Sequence, residues 1–258
     1  DDHILNNIYT EITDVDKLKY NLVIIDSYST RSIGIKSKIA PKTPYVGMFG
    51  YYNGPEVNRV LFSFHQMNNL LGYVKSEDEV NSIARNSMSI STEDQEFVNN
   101  INIPDKYIVI VLGGEWQYRT YNKWNEVIDQ LIIDDKDLNI VLVGSENAGS
   151  ASKELLEKFP QSNLFDFVAK FSFNQTAEII RRSQVVLCCD GGLMHAANAV
   201  NTNIVPLFSR LTPEMQLTDV INAFPLFDNS NVNNITVKEV LAKYFEASNL
   251  FDSHLQDE

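Results

Sequence analysis

Apolar positions in this chain fall into two patterns, short unbroken runs and longer stretches in which they recur every third or fourth residue. The unbroken runs at 107–112, 139–143, 163–166, 185–189 and 203–207 are rich in Val, Ile and Leu and predict buried strands. Between them, 123–132, 150–159, 175–183 and 193–200 carry the helical period. Strands that are apolar throughout, alternating with amphipathic helices, predict a parallel sheet covered on both faces, a doubly wound α/β domain. Upstream, Leu22-Val23-Ile24-Ile25-Asp26 predicts another buried strand, followed by a polar loop at 27–32 and a short helix. Val46 and Val60-Leu61-Phe62 read as two further extended pieces. Residues 75–105 are polar, hold a predicted helix at 92–100, and read as the connection between two units. A last helix is expected near Thr236, with Glu239 at capping-box spacing. The expected domains are therefore 1–104, 105–235 and a terminal helix and tail at 236–258.

Composition narrows the classes. With 258 residues, 44% hydrophobic and 21% charged, the chain has ample material for one large or two medium cores. The net charge is −13 and no basic run occurs, so nucleic acid is not expected as a partner and membrane contact is at most peripheral. An anionic ligand must then be held by local donors. Cys188 and Cys189 are adjacent and point to opposite faces of one strand, so they read as core residues in a reducing compartment rather than a bridge. No run is apolar and long enough to span a bilayer and none reads as a signal peptide, so the expected location is cytoplasmic.

Ligands of doubly wound sheets sit at the carboxyl ends of the strands, and four such ends carry suitable chemistry. The run Asp190-Gly191-Gly192-Leu193-Met194-His195 leaves a strand and opens a helix of small residues. Backbone amides at that helix start are unpaired and face the positive end of the dipole, which makes an anion site. An ordinary strand-to-helix turn with a buried His reads equally well from this run alone. A second end gives Gly113-Gly114-Glu115-Trp116, followed by Arg119 and Lys123, read as the two cations near this edge. A third ends at Gly144-Ser145-Glu146, where a carboxylate can accept from ribose hydroxyls or simply favour a helix start. A fourth leads to Phe171 and Phe173, either a base-flanking aromatic or plain core.

Taken together these pieces resemble glycosyltransferase family nine, the ADP-heptose:lipopolysaccharide heptosyltransferases and their relatives. The resemblance is carried by Leu112-Gly113-Gly114, Asn122-Lys123-Trp124, Val143-Gly144-Ser145, Phe171-Ser172-Phe173, the Asp190 to His195 motif and Leu207-Phe208-Ser209-Arg210-Leu211-Thr212-Pro213. Order and spacing agree from about Leu22 to Phe245. It implies two Rossmann-like domains facing a cleft (the GT-B type), with the donor on the second. It also implies an inverting transferase with no metal and no cofactor beyond its nucleotide-diphosphate sugar, and a glycan, lipopolysaccharide core or protein as acceptor. Carried onto this chain, Asp190, Gly191, Gly192, Met194 and His195 hold diphosphate and sugar, and Arg119 or Lys123 neutralises the leaving phosphates. Glu146 then meets the ribose, Phe171 the base, and Gly113, Gly114, Glu115 and Trp116 line the pocket edge.

The amino end departs from the family. The Gly-Asp loop that carries the family's base is absent, and the first domain is expected to be truncated there by one or two βα units, each roughly thirty residues. Asp26 then stands as candidate base on one reading and as a turn or cap residue on the other, with His65 a further candidate. Arg31 and Ser32 match the family's acceptor-side loop. Asn122 stands where the family's Lys is usual, and Glu115 and Trp116 replace pocket-edge threonines, which leaves the donor open beyond ADP-heptose. Two other classes remain in play: a nucleotide-sugar-binding module without the base, and a nucleotide-sugar epimerase.

Overall fold

A computed structural model describes residues 20–27, 30–49, 58–218 and 222–256, without the side chains of 26, 27, 47–49 and 252–256. The chain divides into two compact units, the second beginning at Arg85.

In the first unit β1 (Val23–Ser27), α1 (Thr30–Ile39) and β2 (Tyr45–Phe49) form a strand–helix–strand step. The two strands are parallel, with Val23 opposite Tyr45 and Ile24 opposite Val46. Two helices follow, α2 (Arg59–Leu71) and α3 (Glu77–Ile83). Helix α2 overturns the extended reading of Val60-Leu61-Phe62. Over a longer window the apolar positions Val60, Phe64, Met67 and Leu71 repeat at helical spacing, which three residues cannot reveal. Asn58 caps its start, accepting from the Val60 and Leu61 amides at 2.9 and 3.0 Å, and Gly72 closes it with φ 77°.

The second unit contains α4 (Thr92–Asn99), β3 (Ile108–Val111), α5 (Trp124–Asp134), β4 (Ile140–Val143), α6 (Gly149–Lys158) and β5 (Leu164–Asp166). It continues through α7 (Phe173–Arg181), β6 (Val186–Cys189), α8 (Gly192–Ala199), β7 (Ile204–Ser209), α9 (Pro213–Gln216), β8 (Leu226–Asp228) and α10 (Val237–Gln256). Its six strands pair in parallel in the order β5-β4-β3-β6-β7-β8. This is the doubly wound order, in which the chain leaves β3 in one direction and β6 in the other. Strands β3 to β7 and their helices fall where the apolar pattern put them. Strand β8, at the edge of the sheet, escaped that pattern.

The alternation of side chains sets the two cores. Ile108, Ile110, Leu142, Leu187, Cys189 and Leu207 face α5 and α10, while Val109, Val141, Val143, Val186, Cys188 and Phe208 face α7 and α8. The adjacent cysteines thus lie in opposite cores, both free and buried. Burial pushes the Cys189 thiol up to about 12 and Cys188 well above its ordinary value, so neither is a nucleophile.

Helix α4 packs on α7, with Val98 fully buried beneath it and Arg182 donating to the Gln95 carbonyl at 3.2 Å. Residues 85–104 therefore belong with the second unit rather than with the first. Below that contact the buried Glu178 carboxylate accepts from Arg181 Nε and Nη2 and from Arg182 Nε, each at 2.7 Å. Burial alone raises the Glu178 carboxyl, but the hydrogen bonds and charges of the two arginines outweigh it and hold it below the usual range.

A carboxyl depressed by folding contributes stability above its unfolded value, about 4.3 for Glu, and loses it as pH falls through the lower folded value. Denaturant unfolding across pH 3–6 is therefore expected to show stability falling below about pH 4.3. Glu178→Gln should flatten part of that slope and cost about 2–4 kcal/mol at pH 7, because two guanidinium groups lose their anion. An unchanged slope in the variant contradicts the assignment.

Candidate functional site

Strands β3 and β6 lie side by side, yet the chain leaves them in opposite directions, the place where doubly wound sheets form a crevice at their carboxyl edge. One residue from each loop closes on the other across it. Arg119, in a 3-10 turn (Gln117–Arg119) after β3, places Nη1 3.0 Å from Oδ2 of Asp190, which follows β6. The Asp190 side chain is 4% exposed and that of Arg119 22%. A carboxylate so covered requires a partner. The Asp190 amide donates to the Leu207 carbonyl at 3.0 Å, which fixes the corner to β7. Its Oδ1 lies 3.9 Å from His195 Nε2, beyond hydrogen-bond range but within electrostatic reach. Asp190 thus faces Arg119 and His195 rather than the open crevice.

The start of α8 carries backbone amides turned away from the helix ladder. Gly191 is extended, and the first helical bond runs from the His195 amide to the Gly191 carbonyl at 3.2 Å. The amides of Gly192, Leu193 and Met194 precede it and meet no acceptor among the described residues. The two glycines are not crowded. A methyl group added at Gly191 or Gly192 comes no closer than 3.9 Å to the nearest atom. The other glycines at this edge are confined by the protein itself. Gly113 has φ 83°, and a Cβ there would lie 2.9 Å from Asn147 Oδ1; at Gly144 it would lie 2.7 Å from the Leu112 carbonyl. Gly114 is crowded in the same way by Thr120.

A flanking cation, Arg210, was given no role by the sequence reading, which had placed Trp116 at the pocket edge. Arg210, at the end of β7, adopts φ 67° and lays its guanidinium 3.7 Å from the centre of the Tyr118 ring, while Arg119 stands 5.8 Å from the same ring. Trp116, 51% exposed, stacks beside Tyr118 with centroids 6.4 Å apart. Among the described residues Arg119 and Arg210, rather than Arg119 and Lys123, meet here at the ring of Tyr118. Lys123 points elsewhere, holding the carbonyls of Asn233 at 2.5 Å and Ile235 at 3.2 Å. The signal for Arg210 was its place after an apolar strand, and its chemistry depends on a backbone turn that sequence does not display.

The aromatic expectation is corrected as well. Phe171 is packed edge-on between Phe97 and Phe167, at 5.9 and 5.0 Å, and serves the core. Phe173, 53% exposed at the start of α7, is the ring nearest Gly192. The Met194 side chain is fully buried, so this residue offers the crevice its amide alone. Glu115 and Glu146 are exposed at the ends of β3 and β4. In the first unit Arg31 is exposed and Ser32 half-buried on α1, and His65 is half-buried on α2. Asp26 lies in β1, and its side chain is outside the described residues.

A six-stranded parallel sheet in this order defines the doubly wound α/β class, whose ligands sit at the switch point. Residues 43–239 match the sequence profile of glycosyltransferase family 9 (heptosyltransferase), and the chain belongs to that family. No curated protein sequence matches it. Among solved structures, the family 9 glycosyl transferase of Veillonella parvula DSM 2008 superposes with a TM-score of 0.70 at 14% identity, over 89% of this chain and 74% of that one. E. coli heptosyltransferase WaaC with ADP-2-deoxy-2-fluoro heptose gives 0.66 at 17% identity, over 91% and 75%. The UDP-GlcNAc 2-epimerase of Methanocaldococcus jannaschii gives 0.56 at 15%, over 92% and 74%. The fold is that of GT-B glycosyltransferases. The epimerase shares it, so architecture alone does not separate the two chemistries; the family match does.

The two groups of glycines should respond differently to a methyl group. Gly144→Ala is expected to cost about 2 kcal/mol in urea unfolding, because the carbonyl of Leu112 and the Ala148 methyl must move. Gly191→Ala should stay within about 0.5 kcal/mol of the parent, having neither strain nor crowding to overcome. A large loss at Gly191 would show that the corner is closed by the protein's own atoms.

Proposed function

We propose that the corner between β3 and β6 grips the diphosphate of a nucleotide-diphosphate sugar, ADP-heptose or a close relative, and that the sugar passes with inversion to a glycan, lipopolysaccharide core or protein acceptor. The open amides of Gly192, Leu193 and Met194 beside Arg119 and Arg210 carry this reading. A diphosphate needs several convergent donors and positive charge, and this edge concentrates both on a protein of net charge −13.

In the reaction an acceptor hydroxyl attacks the anomeric carbon from the face opposite the diphosphate. The bond from that carbon to the diphosphate oxygen breaks, its electron pair leaves with the nucleotide, and the hydroxyl proton passes to a base. Charge developing on the leaving oxygen is met by the helix amides and the two guanidinium groups, which is the work a metal does elsewhere. The transfer is accordingly proposed to run without a metal or a resident cofactor. His195 lies in the first turn of α8, near the sugar end of such a ligand, with Asp190 setting its charge environment. Phe173 and Trp116 are positioned for contact with the base, and Glu146 for the ribose. Asp26 is the proposed base, and Arg31 and Ser32 the proposed acceptor contacts. The buried free thiols of Cys188 and Cys189 fit a cytoplasmic, reducing setting, and the acidic charge argues against nucleic acid as a partner. No helix among the described residues is long and apolar enough to cross a membrane.

Incubating the protein with candidate nucleotide sugars, with and without acceptor glycans, and following nucleotide release tests the reading. Release that depends on acceptor is expected. Arg119→Gln should lower turnover about 10²–10³-fold, the usual cost of losing one charge-stabilising donor. His195→Ala should also impair donor binding or turnover with little change in unfolding free energy, whereas Arg119→Gln should also lower stability, because it leaves the covered Asp190 carboxylate unpaired. Tight binding without release in the parent protein would instead identify a nucleotide-sugar-binding module. Normal affinity and rate in both variants would remove the site.

A further inference from the structure

The far end of α8 holds a second cavity, of about 220 Å³, lined by Arg85, Ser87, Gln95, Arg181, Asn198 and Asn201 among others, all of the second unit. Asn198 is 3% exposed, and both its Nδ2 and its Oδ1 lack a partner among the described residues. Capping does not account for it. The Asn201 amide already bonds the Asn198 carbonyl at 3.2 Å and the Thr202 amide the Ala197 carbonyl at 3.1 Å, so backbone alone closes the helix. Nor does packing, since the position lies on the buried face with Met194 and Ala197, where an apolar side chain fits better. A buried carboxamide with two idle groups marks a place where something else binds.

The walls indicate what. Arg181 commits Nε and Nη2 to Glu178, leaving Nη1 uncommitted among the described residues. Arg85 is exposed and makes no ion pair among them. No carboxylate lines the cavity. Two guanidinium groups favour an oxyanion, whose oxygens also suit Asn198 Nδ2. Asn198 Oδ1, however, demands a donor, which a bare anion lacks. The volume is far more than the ~15 Å³ that one water requires. We propose that this cavity binds a small oxyanion that also carries hydroxyl groups, such as a phosphorylated polyol, at a site separate from the β3–β6 corner. This site depends on neither the donor nor the transfer reaction.

Calorimetric titration of the full chain with glycerol phosphate, inorganic phosphate and lactate tests this, together with ¹H–¹⁵N spectra of the Asn side-chain amides. Glycerol phosphate is expected to bind at one site and to shift the Asn198 amide pair, identified by its loss in Asn198→Ala. Binding should weaken at least tenfold in Asn198→Ala and in Arg85→Gln, and should persist in Arg119→Gln, whose defect lies at the other corner. A preference for lactate over both phosphates would keep the hydroxylated oxyanion and assign it as a carboxylate. No binding in the parent protein, showing a cavity filled by water only, overturns the proposal. So does binding that ignores Asn198 and Arg85 but vanishes in Arg119→Gln. Should transfer activity fail altogether while glycerol phosphate still binds as described, this inference survives the loss of the proposed function.

Discussion

The ion pair between Arg119 and Asp190 is the constraint on which the corner depends. Two neighbouring strands send their chains to opposite sides of the sheet, and nothing in the hydrogen-bonded ladder holds the departing loops together. The carboxylate is almost wholly covered, so an unpaired state is costly and the guanidinium is held at 3.0 Å. That fixed guanidinium orders the ring of Tyr118 beneath it, which in turn supports Arg210 from the end of a third strand. One buried charge thereby organises two cations from different loops. Because Asp190 cancels the charge of Arg119, the surplus positive charge at the corner comes from Arg210 and the start of α8.

The same local logic answers the global charge. A net charge of −13 repels an anionic ligand at long range, but salt screens that field over ~8–10 Å, whereas donors in contact act at full strength. Desolvated amides at a helix start do not change with pH or with neighbouring surface residues. Specific anion binding on an acidic protein is consistent once the contact terms are separated from the field.

Sequence reading succeeded where the physical signal is periodic. Strands buried on both faces must be apolar throughout, so β3, β4, β6 and β7 were visible, as was the capping box of Thr236 and Glu239, realised with amide bonds of 2.8 and 3.3 Å. It failed where three residues stood in for a longer window, as at Val60-Leu61-Phe62, and where a side chain had a choice of direction. Lys123 and Arg119 are four residues apart and chemically alike, yet one closes on carbonyls of a distant turn and the other on a carboxylate. Phe171 and Phe173 are two apart, one in the core and the other beside Gly192. Rotamers and loop paths decide such cases, and these are set by contacts remote in the chain. Family resemblance could name the Asp190 to His195 motif but not the division of labour inside it, in which Met194 packs inward and Asp190 faces its own arginine.

Glycine carries the sharpest distinction between what the fold requires and what it merely permits. Gly113, Gly114 and Gly144 have internal reasons, a left-handed backbone angle or an atom that leaves no room for Cβ. Gly191 and Gly192 have none, for their backbone is ordinary and their surroundings open. A residue that sacrifices unfolded-chain entropy with no structural return is explained by something outside the protein that comes close to the backbone. The same reasoning applies at the other end of α8, where a buried carboxamide has neither cap nor partner. In each place the fold would be at least as stable with a different residue. A short helix with an unexplained glycine pair at one end and an unexplained amide at the other is thus where both proposed ligands meet the protein, while its middle, from Met194 to Ala197, belongs to the core.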